Sequence, residues 1–145
     1  MMLLTPKKTK FSKSFSGKKM TKKTTIPKKC SFRFSNYCII ANQAGVLTNF
    51  QIEAIRRLLR RLLKKKAQLF FRLIIDKPVT KKPNEVRLGK GKGNVKYWAY
   101  FVKKGDIMWE IKFINQNEIN SIINNVRYKL PIEIFISNQQ KRWIL

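Results

Sequence analysis

Histidine is absent from this 145-residue chain, and only seven Asp and Glu stand against 33 Lys and Arg. General acid–base catalysis most often uses the imidazole, so the commonest proton-transfer group is missing. The acids Glu53, Asp76, Glu85, Asp106, Glu110, Glu118 and Glu133 are scattered, with no obvious pair. Neither a carboxylate dyad nor a metal cluster is legible among them. Cysteine is limited to Cys30 and Cys38. Their spacing fits neither a CxxC redox motif nor a zinc knuckle, and both read as thiols rather than a disulfide. No run of 18 or more apolar residues occurs, which excludes a membrane-spanning helix. Together these absences leave no enzyme reading. No catalytic residue, metal, cofactor or small-molecule substrate is expected.

Positive charge is abundant. The formal net charge is +26, while 43% of residues are hydrophobic and 12% aromatic. A core is therefore affordable, but the surface repels itself unless a polyanion neutralises it. Nucleic acid is the usual polyanion, with an anionic membrane second. Charge spread over the whole chain argues against a local membrane patch. Frequent Ile and Asn beside Lys point to an AT-rich coding genome.

Three regions follow from the patterning. Residues 1–31 form a basic arm with too little apolar surface to fold alone. It is a solvated arm, a transit peptide, or a segment that orders on RNA. In the last case Lys7, Lys8, Lys10 and Lys13 sit on phosphates, with Phe11 or Phe15 in apolar crevices. The lack of Arg before Arg33 weakens the transit-peptide reading. Residues 32–137 form an α+β domain, and 138–145 a tail. "FRFSNYCII" reads as a strand. "AGVLTNFQIEAIRRLLRRLLKKK" reads as a helix N-capped by Thr48, with Gln51 completing a capping box. Ile52, Ile55, Leu59, Leu62 and Leu63 make its apolar face. "QLFFRLIID" (68–76) reads as a strand packed on both sides. Residues 77–94 read as a loop, with Pro78 and Pro83 as breakers. "VKYWAYFV" and "DIMWEIKF" read as a hairpin closed by "KKGD". "NQNEINSIINNVRYKL" is a second helix stopped by Pro131. "IEIFIS" is a last strand. This order predicts a two-layer sandwich of a mixed or antiparallel sheet with two helices.

Two basic features carry the functional reading. Arg56, Arg57, Arg60, Arg61 and Lys64 fall on the polar face of the first helix, opposed only by Glu53. A solvated face usually mixes signs; this one fits phosphates. The loop adds Lys77, Lys81 and Lys82, then "VRLGKGKGN". Its alternating glycines match neither a Walker A loop nor GxGxxG. Gly89, Gly91 and Gly93 allow positive φ and close backbone approach. Lys90 and Lys92 supply point charges, and Arg87 a planar fork for phosphate or a base edge. Tyr97, Trp98, Tyr100 and Phe101 are weighed as base-stacking residues and read mainly as core.

"DKPVTKKPNEVRLGKGKGNVKYW", "GVLTNFQIEAIRR", "LTPKKTKF" and "KLPIE" resemble the universal large-subunit ribosomal protein sixteen family of bacteria and organelles. The resemblance covers nearly the whole chain. It implies a hammerhead-like sandwich that binds large-subunit rRNA near the base of the central protuberance beside neighbouring ribosomal proteins. It also implies a glycine-rich loop reaching toward A-site tRNA at the peptidyl-transferase centre, and late entry into the subunit. Arg87 matches a loop arginine that some bacterial members hydroxylate. The chain departs from the family pattern at Leu88, Lys96, Glu133, Ser35 and Cys38, in the stretch 18–31, and in "QQKRWIL". The family's start near Leu3 leaves little room for a presequence. With the AT-rich composition this implies a mitochondrial ribosome, the alternatives being a plastid or a bacterial cytoplasm.

Overall fold

A computed structural model describes residues 4–15, 32–64, 66–87, 89–112 and 114–138. Its elements run β1 (Tyr37–Ala41), β2 (Gly45–Thr48), α1 (Asn49–Leu63), β3 (Gln68–Phe71), β4 (Lys77–Lys81), β5 (Asn94–Val102), β6 (Ile107–Lys112), α2 (Gln116–Arg127) and β7 (Ile134–Asn138). The expected α+β class is correct. Its single sheet is in fact two antiparallel sheets, ordered β3-β6-β1-β7 and β2-β5-β4. One core unites them. Trp109, Met108 and Ile111 of β6, Ile39 of β1, Leu47 of β2, Val102 of β5, and Ile52, Ile55 and Leu59 of α1 are all essentially inaccessible.

Helix α1 starts where its cap requires. Thr48 Oγ1 accepts from the Gln51 N–H at 3.3 Å, and the Thr48 N–H donates to Gln51 Oε1 at 3.0 Å. This reciprocal box satisfies two donors that a helix start would leave orphaned. Buried positions are Ile52, Ile55, Leu58, Leu59 and Leu63. Leu58 thus joins the core, whereas Leu62 is only half-buried. Ile119, Ile122, Ile123 and Val126 bury one face of α2. Helix α1 packs on β2, β5 and α2, and α2 packs on β7.

Four sequence expectations are corrected. "GVLT" is strand β2 rather than the opening of the helix, paired from Gly45↔Val102 to Thr48↔Ala99. A Cβ on Gly45 would meet Ile132 Cγ2 at 2.3 Å, so the strand approaches the 131–133 turn more closely than a side chain permits. Strand β3 stops at Phe71 and lies at a sheet edge. Residues 72–76 continue outside the ladder, with Leu73 and Ile75 buried and Ile74 exposed. Residues 77–81, expected as loop, form β4. Pro78 sits there because β4 is an edge strand, where a missing N–H is tolerated. Finally, β5 and β6 are not a hairpin. β5 pairs with β2 and β4, and β6 with β1 and β3. β6 is buried over five consecutive residues and takes a partner on each side, which β5 cannot supply while it pairs in the other sheet. The "KKGD" turn carries the chain between sheets. The Lys103 N–H donates to Asp106 Oδ2 at 2.9 Å, Gly105 has φ +88°, and the Gly105 N–H donates to the Ala41 carbonyl at 2.8 Å.

Glu110 is the one acid with no exposure. Arg72 Nη1 pairs with its Oε1. Its Oε2 accepts the Phe34 N–H at 2.8 Å and the Arg33 N–H at 3.3 Å, with Ser35 Oγ 3.3 Å away. A carboxylate removed from water needs such partners. Here they fix residues 33–35 against the centre of the four-stranded sheet.

Candidate nucleic-acid interface

Three elements present the basic residues: the described part of the arm, the polar face of α1, and β4 with the finger that follows it. In the arm Lys7, Lys8, Lys10 and Lys13 are all exposed. So are the rings of Phe11 and Phe15, at 72% and 96%. Neither ring is packed into the core.

The α1 face is less uniform than the sequence implies. Arg56 Nε and Nη2 each donate to Glu53 at 2.6 Å, and Arg57 Nε donates to Glu53 Oε1 at 2.9 Å. The Arg56 guanidinium, aided by Arg57, holds the Glu53 carboxyl at about 2, well below its ordinary 4.5. Two of the five bases therefore share one acid. Arg60, Arg61 and Lys64 are exposed and pair with no carboxylate among the described residues. They are the uncompensated end of the stripe.

β4 exposes Lys77 and Lys81. Lys77 lies 3.5 Å from Asp76, whereas Lys81 has no such partner among the described residues. Lys82 is half-buried and its ammonium donates to the Gly89 carbonyl, so it braces the finger from within. The glycine expectation resolves into two different needs. Gly89, Lys90 and Gly91 all have positive φ, at +99°, +51° and +80°. This left-handed run reverses the chain at the tip, with open space around both glycines. Gly93 serves close approach instead, since a Cβ there would lie 2.8 Å from the Lys81 carbonyl carbon and oxygen. Arg87 and Lys90 are exposed at the finger. Lys92 is tied to the arm: Lys13 Nζ donates to the Lys92 carbonyl at 2.9 Å, and Lys92 Nζ donates to the Ser14 carbonyl at 2.6 Å.

Trp98 and Tyr100 pack against the core, as read, and Tyr97 and Phe101 are half-buried. Burial, with the Asp106 carboxylate beside it, pushes the Tyr100 phenol up to about 12 and keeps it protonated. Sequence reading missed other aromatics at the surface. Phe50 and Tyr128 are 69% and 91% exposed, and Phe34 stacks on Phe70 with centroids 5.1 Å apart. Only their register opposite the buried helix positions could have marked Phe50 and Tyr128. Among the described residues, no group of three or more Cys, Asp and Glu could hold a metal ion, and no helix is long and apolar enough to cross a membrane. Cys30 and residues 139–145 of the expected tail lie outside the described residues; Asn138, expected to open that tail, instead ends β7, and Cys38 is buried in β1.

The family model described as ribosomal protein L16p/L10e matches residues 6–137. Relatives carrying the name large ribosomal subunit protein uL16 cover nearly all of the chain. The one from Buchnera aphidicola (strain Tuc7) is 36% identical over 137 residues, spanning 94% of this chain and 98% of the relative. That from Thioalkalivibrio sulfidiphilus is 40% identical over 131 residues, spanning 90% and 93%. That from Acinetobacter baumannii is 38% identical over 135 residues, spanning 92% and 96%. The match takes in the arm from Pro6, the capped basic helix and the Gly-Lys finger, so the chain belongs to the ribosomal protein L16p/L10e family.

Proposed function

We propose that this protein is a structural component of the large ribosomal subunit, not an enzyme, and that it binds large-subunit rRNA beside neighbouring ribosomal proteins. The observation that carries this is the placement of uncompensated cations on three separate elements of a family member: Lys7, Lys8 and Lys10 on the arm, Arg60, Arg61 and Lys64 on α1, and Lys81 with Arg87 and Lys90 on β4 and the finger. Each can neutralise a phosphate and release its counterion. Surfaces pointing at several elements suit a protein embedded in RNA better than one docked on a flat face. The finger is the part we assign to A-site tRNA. Its tip is built from left-handed backbone with open space around it, more freedom than a fixed phosphate contact needs.

The composition, rich in Lys, Ile and Asn, supports an AT-rich genome and with it a mitochondrial ribosome. The bacterial relatives fit a bacterial cytoplasm. Locating the coding sequence in an organellar or a bacterial genome decides between them. The role itself is tested by sedimentation in moderate salt. The full chain should migrate with large subunits at one copy each. A chain found mostly in the light fractions would instead be a free RNA chaperone.

A further inference from the structure

The arm and the finger meet at a seam joining residues 78 and 79 positions apart. Lys13 Nζ and Lys92 Nζ each donate to a carbonyl on the opposite side, at 2.9 and 2.6 Å. The Lys92 ammonium also lies 5.1 Å from the centroid of the Phe15 ring. Ser14, Phe15 and Lys92 line a hollow of about 180 Å³ together with Pro78 and Phe101, so the seam rests on β4 and β5. An ammonium has three N–H donors. After one bond to a carbonyl, each keeps two for another acceptor, and neither pairs with a carboxylate among the described residues. Phe15 is 96% exposed although Lys92 stands against one face. Its other face is open to solvent.

An open aromatic face beside two uncompensated cations fits one chemical unit. We propose that Lys13, Ser14, Phe15 and Lys92 form a binding site for an unpaired nucleotide of RNA, its base stacked on Phe15 and its flanking phosphate held by Lys13 and Lys92. The site rests on the RNA-binding reading and adds the strand state of the target. A duplex offers phosphates but keeps its base faces stacked, so it engages only the lysines. A single-stranded segment engages ring and lysines together. Because one side of the site is arm and the other finger, a captured nucleotide also fixes the finger relative to the domain.

The test uses the full chain and an eight-nucleotide RNA with 2-aminopurine at its centre, presented single-stranded and as a duplex. Binding of the single strand should quench the fluorescence. Phe15→Leu should abolish the quench and weaken binding on the order of tenfold, the range of one lost base stack. Tyr128→Leu, which removes an exposed ring at the end of α2, should leave both unchanged. Lys13→Ala with Lys92→Ala should lower the salt slope by about two while sparing the fold. Wild-type quench and affinity in Phe15→Leu, or equal losses in Tyr128→Leu, would overturn the site. If the unaltered chain still sediments with large subunits in that case, the seam alone fails. If the chain binds neither form of the oligonucleotide at low salt, the RNA-binding reading fails with it.

Discussion

Glu110 and Glu53 are both acids in a basic protein, and their settings give opposite expectations. Glu110 has no access to water and holds Arg72 and the backbone of residues 33–35. Glu110→Gln leaves the Arg72 charge without its counter-ion in a largely buried position. We expect a loss of about 3–5 kcal/mol, the usual cost of breaking a buried pair from one side. That is a large part of a domain's stability, and urea unfolding will measure it. Glu53 sits at the surface of α1 with its carboxyl near 2, below the ordinary 4.5. A depressed carboxylate contributes stability that is fully present above its unfolded pKa and is lost as pH falls through the folded one. The contribution should therefore be flat above about 4.5 and vanish toward 2. Thermal melts of Glu53→Gln should lack that part of the acid slope. An unchanged slope would mean that the Arg56–Glu53 pair is worth nothing in solution.

Helix α1 and the finger are the elements on which binding is expected to depend. Arg56 and Arg57 already serve Glu53, so reversing them would crowd three acids into one turn and confuse binding with folding. Arg60→Glu with Arg61→Glu is the cleaner change. Ile52, Ile55, Leu58, Leu59 and Leu63 stay buried, so the melt should be unaltered while occupancy in large subunits falls. Normal occupancy would make this face merely solvated. In the finger, Gly91 and Gly93 should differ when each is changed to Ala. Gly93→Ala drives a Cβ into the Lys81 carbonyl at 2.8 Å and should detach the finger from β4. Gly91→Ala has space but sits at φ +80°, a cost of about 1 kcal/mol that stiffens or reshapes only the tip. Hydrogen exchange across residues 77–81 should rise for Gly93→Ala and not for Gly91→Ala. Lys90→Ala, at the exposed tip, should leave subunit occupancy near normal and weaken A-site tRNA binding. Unaltered tRNA affinity would remove the finger from that role.

For the whole molecule, charge dominates behaviour in solution. With +26 on 145 residues, the free chain should be soluble mainly at high salt or with RNA. Its RNA affinity should fall linearly with the logarithm of salt, and each Lys→Ala at a phosphate contact should reduce the slope by about one. Affinity that does not change between low and physiological salt would contradict an electrostatic interface.

The sequence by itself determined features made within a few residues, and it pointed to a class of partner. Thr48 and Gln51 marked the start of α1, because a capping box is made within four residues. The spacing of Ile52, Ile55 and Leu59 marked its buried face, whereas the second helix, expected to run to Pro131, ends at Arg127. Net charge pointed to a polyanion because charge is additive and needs no fold. Tertiary structure decided everything that depends on distant partners. β5 and β6 adjoin in sequence yet lie in different sheets, since strand pairing follows burial across the core and not proximity along the chain. "GVLT" became a strand because β5 was there to receive it. Pro78 stayed in a strand because β4 is an edge. The two basic features were legible, but their division into compensated and uncompensated cations was not. That division turns on Arg56 and Arg57 closing on Glu53 within α1, on Lys82 turning inward to Gly89, and on the arm returning from 78 residues away to meet Lys92.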